Sequence, residues 1–129
     1  MKRILLIDDD PAFTRILGDY ISEHFPLLGV DVCNSPIEAL NYIKQDIYAL
    51  ILIDFEMPTL DGKKLLGFAV QAGVDKNRIV ILSGRDPDYL REYCPMGSCL
   101  AVLNKHEVRQ KAVLDMIFSS LNEKASQTG

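Results

Sequence analysis

Tryptophan is absent from this chain of 129 residues, and cysteine occurs three times, at Cys33, Cys94 and Cys99. The count is odd and the spacing gives neither a C-x-x-C pair nor a zinc pattern. That excludes a disulfide framework and points to free thiols in a reducing compartment. Runs of Lys or Arg are missing too, and the formal net charge is −4, from 14 basic and 18 acidic residues. Direct nucleic-acid binding through a basic arm is therefore not expected. Long apolar runs are lacking. Ile4 to Ile7, behind Met1-Lys2-Arg3, is too short for a signal peptide, and no other stretch is long enough to span a membrane. A cytoplasmic protein without membrane insertion is the expectation. There is no G-x-x-x-x-G-K-[ST], which excludes a P-loop nucleotide enzyme. His24 and His106 are too isolated to form a metal site, and no repeat, low-complexity tract or linker interrupts the chain.

Short aliphatic runs alternate with amphipathic stretches. With 48% hydrophobic and 25% charged residues, the composition is that of one globular domain. Ile4–Ile7, Leu28–Cys33, Leu50–Ile53, Arg78–Leu82 and Leu100–Leu103 read as strands. Between them, Asp10-Pro11 and Ser35-Pro36 open helices as N-cap plus proline. The first helix carries Phe13, Ile16, Leu17, Tyr20, Ile21 and His24 at helical spacing; the second carries Ile37, Leu40, Ile43 and Ile47. Pro58 and Asp61-Gly62 mark a turn into a third helix, about 62–71, which Gly73 closes. Asp86-Pro87 starts a short fourth helix, which Pro95 and Gly97 end. A fifth, about 108–124, turns Val113, Leu114, Ile117, Phe118 and Leu121 inward. Residues 1–124 make the domain, and 125–129 read as a frayed tail.

Five strand–helix alternations predict a parallel sheet with helices on both faces and right-handed crossovers. In such a sheet all the strands end on one edge, so Asp8/Asp9/Asp10, Asp54, Ser83 and Lys105 converge there. Clustered carboxylates repel: two unit charges about 4 Å apart cost roughly 4 kcal/mol at an effective dielectric near 20. A cation must offset this, and Mg²⁺, which prefers one or two carboxylates, waters and phosphate oxygens, suits the set. Such a site fits a phosphoryl group, with Asp54 as nucleophile, Lys105 pairing with the phosphoryl oxygens and Ser83 donating a hydrogen bond to them. Asp10 is read as a helix cap instead of a ligand.

The residues Leu5-Leu6-Ile7-Asp8-Asp9-Asp10, Ile53-Asp54-Phe55-Glu56-Met57-Pro58-Thr59-Leu60-Asp61-Gly62, Leu82-Ser83-Gly84 and Leu103-Asn104-Lys105 resemble the receiver domain of two-component response regulators. The likeness covers about residues 2 to 123. It implies a flavodoxin-like doubly wound α/β fold with strand order 2-1-3-4-5. It also implies Mg-dependent phosphorylation of Asp54 from a histidine kinase or phosphotransfer protein. Asp9, Asp54 and the backbone carbonyl of Glu56 would hold Mg²⁺ directly, and Asp8 through water. Ser83 and Lys105 match the family's switch hydroxyl and lysine. Beyond accepting and losing the phosphoryl group, no enzymatic activity is implied. Output would pass to a downstream protein through the side formed by the fourth helix, fifth strand and fifth helix. The chain departs from the family in two places. His106 follows the lysine where proline is usual, which predicts a trans peptide, and Val102 stands where the family has its switch aromatic. Glu56 and Arg85 fall at positions that tune dephosphorylation in the family. Two other readings accompany this one: an adaptor on the same fold that acts without phosphorylation, and a haloacid-dehalogenase-like phosphatase using Asp8-x-Asp10.

Overall fold

The aliphatic runs segregate by side-chain parity, which decides the architecture. In the computed structural model, which describes residues 2–57, 62–85, 87–95 and 97–128 (without the side chains of 87, 91, 108–110 and 128), five strands form one parallel sheet. They are β1 (Lys2–Ile7), β2 (Leu28–Cys33), β3 (Tyr48–Asp54), β4 (Ile79–Ser83) and β5 (Ala101–Asn104), in the order β2-β1-β3-β4-β5. Leu5, Ile7, Ile51, Ile53, Ile79 and Ile81 face one layer, and Ile4, Leu6, Leu50, Leu52, Val80 and Leu82 face the other. Successive side chains on a strand point to opposite faces, so a strand apolar at every position is stable only when both faces are covered. Each such side chain taken out of water contributes about 1.5–3 kcal/mol.

The covering helices are α1 (Pro11–His24) and α5 (Val108–Thr128) on one face, and α2 (Pro36–Lys44), α3 (Gly62–Gln71) and α4 (Pro87–Tyr93) on the other. Both predicted caps form. The Asp10 carboxylate accepts from the backbone N–H groups of Ala12 and Phe13 at 3.0 and 3.4 Å, and the Ser35 hydroxyl accepts from Glu38 at 3.5 Å. Gly73, at φ +100°, ends α3: its N–H bonds Val70 O at 3.1 Å, and the Val74 N–H bonds Ala69 O at 3.0 Å. This paired arrangement requires a left-handed residue, which glycine adopts without a Cβ penalty.

Several expected core positions are exposed. Ile16 is 66% exposed, because one residue turns a helix by about 100° and the buried arc of α1 centres on Leu17, Thr14 and Ile21. His24 ends α1 in solvent. In α2 the buried residues are Pro36, Ala39 and Ile43, which turns Ile37 outward, and Ile47 lies beyond the helix end. Val113 sits at the margin of α5, whose stripe is Leu114, Phe118, Leu121 and Ala125. That stripe corrects the tail assignment: its 4-3-4 spacing carries the apolar face past Lys124, Ala125 is buried, and helix runs to Thr128. The Tyr20 hydroxyl donates to Asp115 at 2.7 Å, and the Leu27 N–H to Asn122 at 3.0 Å, which fixes α5 against α1 and the start of β2. The predicted roles of Pro58, Asp61 and Asp86 fall outside the described residues. No described helix is long and apolar enough to cross a membrane.

Candidate functional site

Strand register brings the polar ends together. Ile7 pairs with Ile53, so Asp8 and Asp54 leave neighbouring strands at the same level. Asp54 pairs with Leu82, and Ser83 with Asn104, which sets Ser83 and Lys105 on the same edge. The Lys105 N–H bonds Ser83 O at 2.9 Å, extending that alignment one residue past β5. Gly62, the first residue of α3, packs directly on the strand end. A Cβ there would lie 2.7 Å from both Asp54 O and Phe55 Cα. Only glycine allows α3 to start this close to the Asp54 backbone.

Asp8 and Asp54 are buried, Asp9 is exposed, and carboxylate oxygens of all three lie within 4.8 Å of one another. Lys105 bridges two of them: its Nζ is 2.6 Å from Asp8 Oδ2 and 3.3 Å from Asp54 Oδ1. The backbone is also recruited. Asp54 Oδ1 accepts from the Glu56 N–H at 3.2 Å, and Asp8 Oδ1 from the Asp10 N–H at 3.0 Å. Burial, and then the charge of Asp8, push the Asp54 carboxyl up to about 7, against the opposing pull of Lys105. For Lys105, burial works against the charge. The Asp8 hydrogen bond and the charges of Asp54 and Asp8 outweigh it, and the ammonium titrates above its ordinary value. Fully ionised, the three carboxylates against one ammonium would leave two negative charges uncompensated, and that repulsion adds to burial in raising the Asp54 carboxyl. Hard oxygen donors in that charge balance fit a divalent cation such as Mg²⁺.

The expected site residues Asp8, Asp9, Asp54, Ser83 and Lys105 therefore share one edge. Ser83 is fully buried, and its hydroxyl does not face an empty pocket: it donates to the Glu56 carboxylate and accepts from the Arg85 N–H at 2.9 Å. Sequence reasoning gave Glu56 a backbone role and a position that tunes dephosphorylation in the family, but missed this side-chain contact. It also missed Phe13, whose ring centroid is 4.5 Å from Lys105 Nζ, and Asn34, which donates to Asp8 O at 2.8 Å and Thr14 Oγ1 at 3.0 Å. Phe13 is indistinguishable in sequence from any core-facing residue of α1, and nothing local marks Asn34. The peptide after Lys105 is trans, as His106 led one to expect; no described peptide is cis. Asn104 Oδ1 accepts from the His106 N–H at 2.8 Å and shapes the loop before α5.

Fold and edge chemistry together define a doubly wound α/β domain with a lysine-bridged carboxylate cluster. The chain belongs to the response regulator receiver domain family, whose model matches residues 4–117. It is 26% identical over 109 residues to the transcription regulator BvgA of Bordetella pertussis, covering 82% of this chain and 50% of that protein. The chain thus spans about half the length of that relative. Among solved structures, a response regulator receiver domain protein from Clostridium thermocellum superposes with a TM-score of 0.76 at 17% identity, covering both chains fully (100% each). The response regulator TrrA from Thermotoga maritima, in complex with Mg²⁺-BeF, gives 0.75 at 22% identity, covering 90% of this chain and 96% of that one. The chain is a receiver domain of two-component signalling, a family whose members are signalling domains. The phosphatase and phosphorylation-independent readings are not favoured.

Proposed function

We propose that Asp54 is the phosphoacceptor. The observation that carries this reading is its buried carboxylate, 3.3 Å from Lys105 Nζ and grouped with Asp8 and Asp9. An Asp54 oxygen attacks the phosphorus of a phosphohistidine; the P–N bond breaks, an acyl phosphate forms, and the imidazole leaves with a proton from solvent. Lys105 neutralises charge on the phosphoryl oxygens, and its bond to Asp8 fixes the ammonium for that task. Asp9, Asp54 and the Glu56 carbonyl would hold Mg²⁺ directly, with Asp8 acting through water. Bound there, the ion offsets the charge of the incoming group. The donor is a histidine kinase or phosphotransfer protein in the cytoplasm, and a downstream protein reads the α4–β5–α5 side. The only chemistry of its own is self-phosphorylation from a phosphodonor and loss of the phosphoryl group.

The test is intact mass after incubation with acetyl phosphate, with and without Mg²⁺, beside Asp54→Asn. One phosphoryl group that requires Mg²⁺ and vanishes in the variant is the expected result. An adduct retained in Asp54→Asn, or none on the native chain, refutes it.

A further inference from the structure

The Ser83 hydroxyl has one proton to donate, and Glu56 takes it. Its oxygen is engaged by the Arg85 N–H at 2.9 Å, and the residue has no solvent exposure. A phosphoryl group on Asp54 can receive that proton only if Glu56 releases it. Two negative groups, carboxylate and phosphoryl, would then compete for one hydroxyl. Glu56 has a place to go: Arg85 Nε already lies 3.9 Å from Glu56 Oε1, in a partly exposed pair.

Arg85 connects this exchange to the surface. Its guanidinium stands 4.9 Å from the Tyr89 ring centroid, and Tyr89 lies 4.8 Å from Tyr93 on the same face of α4. Phe55, next in chain to Asp54, meets Tyr89 edge-on at 6.1 Å and Tyr93 at 6.3 Å. A cation over an aromatic face is held weakly when exposed, by about 0.5–1 kcal/mol, so a full negative charge can draw it away. Val102 is only partly buried and has no ring to move.

We infer that Glu56 is a latch on Ser83: phosphorylation exchanges the Ser83–Glu56 hydrogen bond for a Ser83–phosphoryl one, hands Glu56 to Arg85, and shifts Arg85 from Tyr89, which reports the state of the site on α4. Glu56 acts through Ser83 and is a positioning residue. The inference rests on Asp54 being the phosphoacceptor. No atom is transferred in the exchange; one hydroxyl proton changes its acceptor.

Two readouts on the full chain test it. The first is the initial rate of adduct formation with acetyl phosphate at saturating Mg²⁺ for the native chain, Glu56→Ala and Glu56→Gln. The incoming phosphoryl group competes with Glu56 for the Ser83 hydroxyl as it transfers, so Glu56→Ala should be about tenfold faster. Glu56→Gln, whose amide oxygen still accepts from Ser83, should fall between the two. Equal acceleration by both variants would mean that only charge repulsion was removed, and would overturn the latch. The second is ¹⁹F NMR of fluorotyrosine-labelled protein, with Tyr89 assigned by Tyr89→Phe, on adding Mg²⁺ and beryllofluoride. Tyr89 should shift while Tyr48, at the opposite end of β3, stays; in Glu56→Ala, which leaves Arg85 no carboxylate to move to, the Tyr89 shift on beryllofluoride should be lost. In the native chain, a Tyr89 signal unmoved while beryllofluoride is bound overturns the coupling alone. If neither adduct nor beryllofluoride binding occurs on any variant, the phosphoacceptor reading falls and the latch with it.

Discussion

Replacing Asp54 by asparagine should stabilise the metal-free protein, and the gain should grow with pH. The unfolded carboxylate ionises near its ordinary value of 3.8, whereas burial and then Asp8 hold the folded one at about 7. Between those values the folded state carries the extra proton, so its stability falls as pH rises, by about 1.4 kcal/mol per unit. Above pH 7 both states are ionised and the loss is complete, at about 4 kcal/mol; at pH 5 it is about 2 kcal/mol. Asparagine keeps the shape without the charge and avoids this cost, though it also gives up the 3.3 Å ion pair with Lys105, which trims the gain. The assay is urea denaturation followed by far-UV circular dichroism in chelator, since the chain has no tryptophan. Asp54→Asn should exceed the native chain by more at pH 8 than at pH 5, by about 2 kcal/mol. Adding Mg²⁺ at pH 8 should narrow the gap by stabilising the native chain. A variant no more stable at pH 8, or a gain equal at both pH values, would refute the account of a carboxylate held in a repulsive, desolvated setting.

Three further outcomes follow from the same geometry. Lys105→Ala leaves Asp8 and Asp54 buried without their ammonium and should cost about 2–3 kcal/mol in chelator; denaturation should show the loss larger at pH 8 than at pH 7, because Asp54 without the pull of Lys105 keeps its proton to higher pH in the folded state, and partly restored by Mg²⁺. Gly62→Ala forces a Cβ to within 2.7 Å of the Asp54 and Phe55 backbone. It should destabilise by about 1–3 kcal/mol, and Mg²⁺ titration monitored by thermal shift should show weakened binding. Tyr48→Phe removes a hydroxyl that donates to Asp31 at 2.8 Å from a buried ring. Asp31 keeps Arg3 as partner, so the cost by urea denaturation should be about 1 kcal/mol.

Much of the site was legible because strand ends in a parallel sheet share one edge, whatever packs around them. The sequence by itself determined the five aliphatic strands, the Asp10 and Ser35 caps, the glycine closing α3 and the presence of Asp8, Asp9, Asp54, Ser83 and Lys105 on that edge. Each follows from local chemistry: periodicity, capping, or position after an apolar run. The helix faces were less legible. Ile16, Ile37 and Val113 are apolar yet stand outside the arcs that the sheet covers, and Ala125 is buried only because α5 continues its stripe beyond a charged residue. What tertiary structure alone decided is which side chain meets which across the edge. Lys105 bridges Asp8 to Asp54 across 97 and 51 residues of chain, and Ser83 finds Glu56 from the next strand. No local pattern encodes those pairings, because they depend on the register of β1, β3, β4 and β5 and on side-chain directions that only the packed sheet fixes.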